Sequence, residues 1–315
     1  MEHSDKISTD LSDGRSGDIT YMSASPFEVH HILLKMDKVT KHPVSGHLYL
    51  PKSENETFAC VIACHGSMSW RAHHLDHIDC WLNAGIAVFR LDCFDSRNIQ
   101  SIVTDQMMVT HAMMLCDAFA ALDLLQTHSR IDSNRIAIAG WSLGGTVALY
   151  SAWLPITEAL SSVGNRFAAH LPIYPAAHMR PEIQRWSNAP ILVLHGDTDD
   201  YTPLNFVTEL ADIIRPYGAT IDVQIYPDAH HSFDSIEPIV WHPEAIRLDH
   251  RTVTIDTEGN LWALAEPGMI LPLNEPDERL AAFHYAKNIG AHFGGQEEAR
   301  THSLKFGTKF LLNSL

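Results

Sequence analysis

The chain has no run of Lys or Arg: 22 basic residues stand against 38 acidic ones, a net charge of −16 at pH 7. That balance argues against nucleic acid or an anionic membrane surface as a partner. No stretch approaches the roughly 18 continuous apolar residues of a membrane-spanning helix, so none is expected. Residues 1–20, MEHSDKISTDLSDGRSGDIT, lack an apolar centre and do not read as a signal peptide. Cysteine is scarce and odd in number: five residues, at 60, 64, 80, 93 and 116, sit inside apolar segments. This pattern reads as reduced thiols in a cytoplasmic protein. Neither a repeat nor a Gly/Ser linker divides the 315 residues, and 45% of them are apolar. One domain with a sizeable core is expected.

What is present is an alternation of strands and helices. Residues 1–24 read as disordered. FEVHHILLKM (27–36) and SGHLYL (45–50) read as an opening antiparallel pair. FACVIACHG (58–66) is a buried strand, and WLNAGIAVFRLDCF (81–94) runs from a helix end through Gly85 into another. Residues 105–129 have apolar positions at three- and four-residue spacing, which predicts an amphipathic helix. Strands at 135–139, 167–175, 189–196 and 220–227 then alternate with helices at 143–153 and 203–216. Continuous apolar strands between helices predict a mostly parallel sheet of about eight strands, covered on both faces, in an α/β domain spanning 25–315.

One stretch, IAIAGWSLGGTVAL (136–149), places Ser142 between a strand and a helix, with glycines at 140, 144 and 145. A bare G-x-S-x-G is a weak signal. In this setting it fits a nucleophile elbow, a strained turn that lifts the serine hydroxyl above the carboxyl edge of the sheet. A helix-capping serine would explain Ser142 but not the three glycines. A serine nucleophile needs a base and an orienting acid, following in the order Ser, acid, His. HGDTDDYTP, after strand 189–196, offers Asp197, Asp199 and Asp200. DAHHSFD, after strand 220–227, offers His230 and His231.

With ACHGS, LDCFDSRNI, GWSLGG, HGDTDDYTP and YPDAHHSFD, the chain resembles the α/β-hydrolase superfamily, and within it the dienelactone hydrolase-like family, over roughly residues 27–315. The resemblance implies Ser142 as nucleophile, His231 as general base because it directly precedes the Ser-Phe pair, and Asp199 as orienting acid, four residues before Pro203. It implies an oxyanion hole from the backbone N–H of Leu143 and one from the CHGSM loop, Ser67 first and Met68 second. Arg97 resembles one of two arginines that hold a substrate carboxylate in the family; the position of the other falls near Ser235. The family nucleophile is Cys, activated by a glutamate where His65 and Gly66 stand here. These departures point to a broader carboxylic ester hydrolase.

Other features are weighed against that reading. HHLDH sets His73 and His77 four apart on a helix face, a spacing of metal ligands, but no third ligand is evident and no metal is expected. The Met pairs at 107–108 and 113–114 read as core filler, and GAHFGGQ (290–296) as a helix cap or turn. Within an insertion at 235–275, RTVTIDTEGNLWAL (251–264) reads as a β-hairpin. It would pack on the side of the domain or on a second subunit, or else lay Trp262 over the acyl pocket. The expectation is a cytoplasmic serine esterase acting on a small-molecule ester, with no cofactor and with a homodimer left open. A thioesterase or peptidase using the same triad, or a ligand receptor on a hydrolase fold, are the alternatives.

Overall fold

In the computed structural model, residues 7–53, 57–161, 163–248 and 252–315 are described. The chain opens with β1 (Gly17–Ala24), α1 (Val29–Leu34), β2 (Lys41–Tyr49), β3 (Phe58–Cys64), α2 (Ala72–Asn83) and β4 (Ala87–Leu91). The middle runs through α3 (His111–Leu125), β5 (Ile131–Trp141), α4 (Leu143–Tyr150), α5 (Leu154–Leu160), β6 (His170–Ile173), β7 (Met179–Pro181), β8 (Ile191–Gly196), α6 (Leu204–Ile214) and β9 (Ile221–Tyr226). It ends with β10 (Val240–Leu248), β11 (Val253–Ile255), β12 (Leu261–Glu266), β13 (Met269–Pro272), α7 (Pro276–Ala286), β14 (Lys287–Phe293) and α8 (Glu297–Ser314).

The main sheet has eight strands in the order β1-β2-β4-β3-β5-β6-β8-β9. The first two junctions are antiparallel and the other five parallel. The central strands are apolar on both faces because both are covered: all seven residues of β3 and all six of β8 are buried. One core holds α3, α4 and the inner face of α6, with Phe206, Val207, Leu210, Ala211 and Ile214 at helical spacing. The other lies under α2 and α8, around Trp81, Trp141, Leu171 and Leu194. This is the mostly parallel α/β sheet of eight strands, covered on both faces, that the alternation of elements predicts. Among the described residues, no helix is long and apolar enough to cross a membrane.

Four expectations are corrected. Residues 7–24 are not disordered: Leu11 is fully buried with its N–H on Thr127 Oγ1, and β1 pairs with β2 through its inward Ile19 and Tyr21. Residues 1–6 of that expectation lie outside the described residues. The segment 27–36 forms no strand: its residues 29–34 are helix α1, with Val29 and Ile32 one turn apart on its buried side. The helix expected from 105 starts at His111, where the Thr110 hydroxyl accepts the Met113 N–H, and Met108 is exposed on the turn before it. Residues 290–293 belong to β14, which pairs antiparallel with β10 as a separate ribbon.

The hairpin at 253–266 forms as expected, with Gly259 at φ +87° in its turn. It joins β13 and β7 in a four-stranded sheet of order β13-β12-β11-β7.

Candidate active site

The sharp turn between β5 and α4 sets the position of Ser142. Its φ of 54° and ψ of −110° lie in a region that a residue with a Cβ occupies only under strain. The neighbouring glycines follow from close approach. A Cβ on Gly140 would collide with the backbone of Gly144, and one on Gly144 with the carbonyl of Cys64. The turn is tied to the loop after β3 by the Gly144 N–H donating to His65 O at 3.1 Å, and to β6 by Ser142 N–H donating to Ile173 O at 2.9 Å.

Two later loops bring partners to the hydroxyl. His231 Nε2 lies 2.9 Å from Ser142 Oγ, and His231 Nδ1 lies 2.8 Å from Asp199 Oδ2. The other carboxylate oxygen, Asp199 Oδ1, accepts the Tyr201 and Thr202 N–H groups at 2.9 and 2.8 Å, and the Thr202 hydroxyl donates to Oδ2 at 2.9 Å. Burial works against ionisation of Asp199, but the His231 charge and hydrogen bond and the Thr202 N–H outweigh it. The carboxyl therefore sits below its usual range and is ionised at neutral pH. Ser142, His231 and Asp199 are all buried, at 5%, 2% and 4% exposure. The rings of Tyr174, Tyr201 and Phe293 pack within 5.0 Å of the imidazole. The competing residues are engaged elsewhere: Asp197 accepts the Asp228 N–H, Asp200 pairs with His292, and the His230 ring lies against His292.

Leu143, at the first position of α4, and Ser67, in the turn after β3, both border the space in front of Ser142. The Leu143 N–H is one of the donors a helix start leaves unpaired. His65, expected to stand where the family has a glutamate, is buried and has a structural part. It bonds Gly66 O through Nδ1 at 2.9 Å, and its Nε2 receives the Phe94 N–H at 3.4 Å, which fixes the loop bearing Ser67. Burial holds its pKa near 4, so this ring is neutral at pH 7.

Two cavities meet at Ser142. One of about 330 Å³ is walled by Met68, Tyr174, Val240, His242 and Phe293, with Arg71 among its lining residues. The other, about 90 Å³, lies between Leu143, Ile102, Thr146, Phe206 and Ile246. The β10–β14 ribbon thus contributes to both, the role weighed as an alternative for the hairpin.

Arg97 and Trp262, for which substrate binding stood as the alternative to a structural role, lie away from both cavities. Trp262 is on the outward side of β12, donates its indole N–H to Asp256 at 2.8 Å and lines neither cavity. Its neighbours Leu261 and Ala263 point inward, and strand alternation turns the tryptophan out. Arg97 is withdrawn into a buried forked pair with Asp117 of α3 (Nη1–Oδ2 2.7 Å, Nη2–Oδ1 3.0 Å), with Cys93 O as a further acceptor.

Sequence reasoning missed Asp234, the last residue of DAHHSFD. Its buried carboxylate accepts the Trp141 indole N–H at 2.9 Å and the Tyr174 hydroxyl at 2.8 Å, with His77 Nε2 at 3.2 Å and His73 Nε2 at 3.8 Å. The spaced histidines of α2 therefore face this carboxylate. Burial alone would raise the Asp234 carboxyl, but the His73 and His77 imidazoles beside it outweigh that and hold it well below its usual range.

The sequence model of the dienelactone hydrolase family matches residues 82–254. A protein of Methylorubrum extorquens, described as a candidate carboxymethylenebutenolidase, is 29% identical over 142 residues, 43% of this chain and 47% of that protein. An acyl-protein thioesterase 1 of Neurospora crassa is 30% identical over 120 residues, 35% of this chain and 45% of that protein. Each match spans about half the length of the relative. Among solved structures, a propionate-bound esterase of Thermogutta terrifontis aligns with a TM-score of 0.49 and 16% identity, over 67% of this chain and 86% of that one.

Proposed function

The chain belongs to the dienelactone hydrolase family, and on that premise we propose that it is a serine hydrolase that cleaves a carboxylic ester of a small molecule through an acyl-enzyme. The observation that carries this reading is the unbroken relay of hydrogen bonds from Ser142 Oγ through His231 to Asp199.

In this mechanism Ser142 Oγ attacks the ester carbonyl carbon while His231 Nε2 takes the hydroxyl proton. The electron pair displaced onto the carbonyl oxygen is held by the N–H groups of Leu143 and Ser67. Collapse of the tetrahedral species expels the alcohol, which receives its proton from His231. A water, deprotonated by the same imidazole, then attacks the acyl carbon and releases the acid and Ser142. Asp199 stays ionised throughout, keeps Nδ1 protonated and so directs Nε2 at the serine. The unequal cavities on either side of Ser142 favour an ester with one short and one bulky side.

Incubation with a fluorophosphonate probe tests the reading. The intact protein is expected to lose activity and gain one adduct on Ser142, with Ser142→Ala unlabelled. A folded wild-type protein that takes up no probe and hydrolyses none of a panel of esters overturns it in favour of a ligand receptor.

A further inference from the structure

Each of the two loops that carry His231 and Asp199 also carries a second chemically capable residue, one position away in the chain. Asp200 follows Asp199, and His230 precedes His231. A third, His292, comes from β14. One ligand atom from each of Asp200, His230 and His292 lies within 4.8 Å of the other two. Asp200 Oδ2 is 2.8 Å from His292 Nδ1, the rings of His230 and His292 are 5.2 Å apart, and His230 Nδ1 is buried with no hydrogen-bond partner among the described residues. A buried ring nitrogen without a partner carries a desolvation cost that a hydrogen bond or a metal ion removes.

We propose that Asp200, His230 and His292 form a binding site for a divalent transition-metal ion of the zinc class. Two imidazoles and a carboxylate are a zinc donor set, and three protein ligands leave a position for water. Asp200 and His292 are partly exposed, at 33% and 41% of their side chains, which lets an ion and its water enter. Binding at Nδ1 displaces the proton shared between His292 Nδ1 and Asp200 Oδ2: in a neutral ring that proton moves to Nε2 with no net release, and an imidazolium ring gives up one proton. Ligands about 2.0–2.1 Å from a tetrahedral ion lie roughly 3.4 Å apart, so the Asp200–His292 pair, now at 2.8 Å, opens slightly while ligand atoms up to 4.8 Å apart draw together. The ion would join three segments distant in sequence: the loop after β8, the loop after β9, and β14. Its effect is therefore on the stability of the assembled site, and the ester chemistry does not pass through it.

The test uses full-length protein stripped with a chelator and then titrated with Zn²⁺ against a chromophoric indicator, in parallel with thermal melts. The wild type is expected to bind one equivalent that His230→Ala and His292→Ala both lose, while His73→Ala, altered in the cluster around Asp234, retains it. Zinc at a hundredfold excess over Kd should raise the wild-type melting temperature by about 3–5 °C and leave His292→Ala unmoved. Should His230→Ala not fold, Asp200→Asn takes its place in the titration. Absence of the tight equivalent in wild type, or its persistence in His292→Ala, overturns the proposal. Neither result bears on labelling of Ser142, so this site and the esterase reading fail separately.

Discussion

The Asp234 carboxylate accepts the indole N–H of Trp141, the residue immediately before Ser142, at 2.9 Å. Through its other oxygen it accepts the Tyr174 hydroxyl, and the Tyr174 ring packs 4.7 Å from His231. One buried carboxylate thus braces the residue before the nucleophile and a wall of the base. Replacing Asp234 with Asn removes the charge that faces His73 and His77 and leaves at most one acceptor for two donors. Asp234→Asn should lower the melting temperature, corresponding to a loss of about 2–4 kcal/mol, and reduce kcat more than it raises KM. Unfolding curves and ester kinetics on the same preparation check this; unchanged values of both would show that the brace is dispensable.

Ser142→Ala and His231→Ala should each keep the fold and lower ester hydrolysis by at least ~10³-fold, because nucleophile and base act as a unit. His230→Ala, whose ring faces His292 rather than Ser142, should cost far less. Steady-state rates with one activated ester suffice. Equal losses at the two histidines would contradict the assignment.

Arg97 and Asp117 form a buried forked pair away from both cavities. Arg97→Ala and Asp117→Asn should each cost about 3–5 kcal/mol of stability, since either leaves the other buried without its counter-charge. Any loss of activity should be the same for esters with and without a distal carboxylate. A KM that rises only for the acidic ester would place Arg97 on the substrate after all.

Phe293 walls the larger cavity and Trp262 does not. Across esters of increasing chain length, Phe293→Ala should shift the preferred length on one side of the ester bond. Trp262→Ala should leave the profile unchanged. A shift with Trp262→Ala alone would return the hairpin to the pocket.

Two buried groups give pH dependences of opposite sign. Burial pushes the His170 imidazole down to about 4. Its contribution to stability is complete above the ordinary imidazole pKa and is lost as pH falls toward and through 4, by up to about 1.4 kcal/mol per pH unit. Burial raises Glu28 to about 7, with Arg279 opposing the shift. Its protonated form favours the folded state, and that contribution disappears as pH rises from its ordinary range through 7. Calorimetry should show the gap between wild type and His170→Gln narrowing from pH 7 to 5. Glu28→Gln should gain on wild type from pH 5 to 8. Offsets that do not vary with pH would contradict both assignments.

The parts of the site that backbone sterics dictate were legible in the sequence. Glycines at 140 and 144 are demanded by contacts to main chain, so the elbow announces itself, and the buried parallel strands read as continuous apolar runs. The choice among Asp197, Asp199 and Asp200 was not legible from spacing. Which carboxylate meets His231 depends on how the chain turns after β8, and only the resemblance singled out Asp199. The β10–β14 ribbon was hidden for another reason. Residues 287–289 are exposed and carry no apolar alternation, and their partners Leu248, Arg247 and Ile246 lie far earlier in the chain, on the other side of the hairpin and α7. Asp234 was in view but read as loop polarity, because its partners Trp141, Tyr174 and His77 come from three other elements.

The walls of the site draw on residues from Gly66 to Gly294. A chain still being made by the ribosome can already possess the elbow and Ser142, yet it lacks the base until His231 has emerged. It lacks Phe293 until nearly the last helix. Under the proposed mechanism the serine therefore stays without its base while the elbow, β6 and β8 are assembling, and its pocket closes only when β14 joins β10.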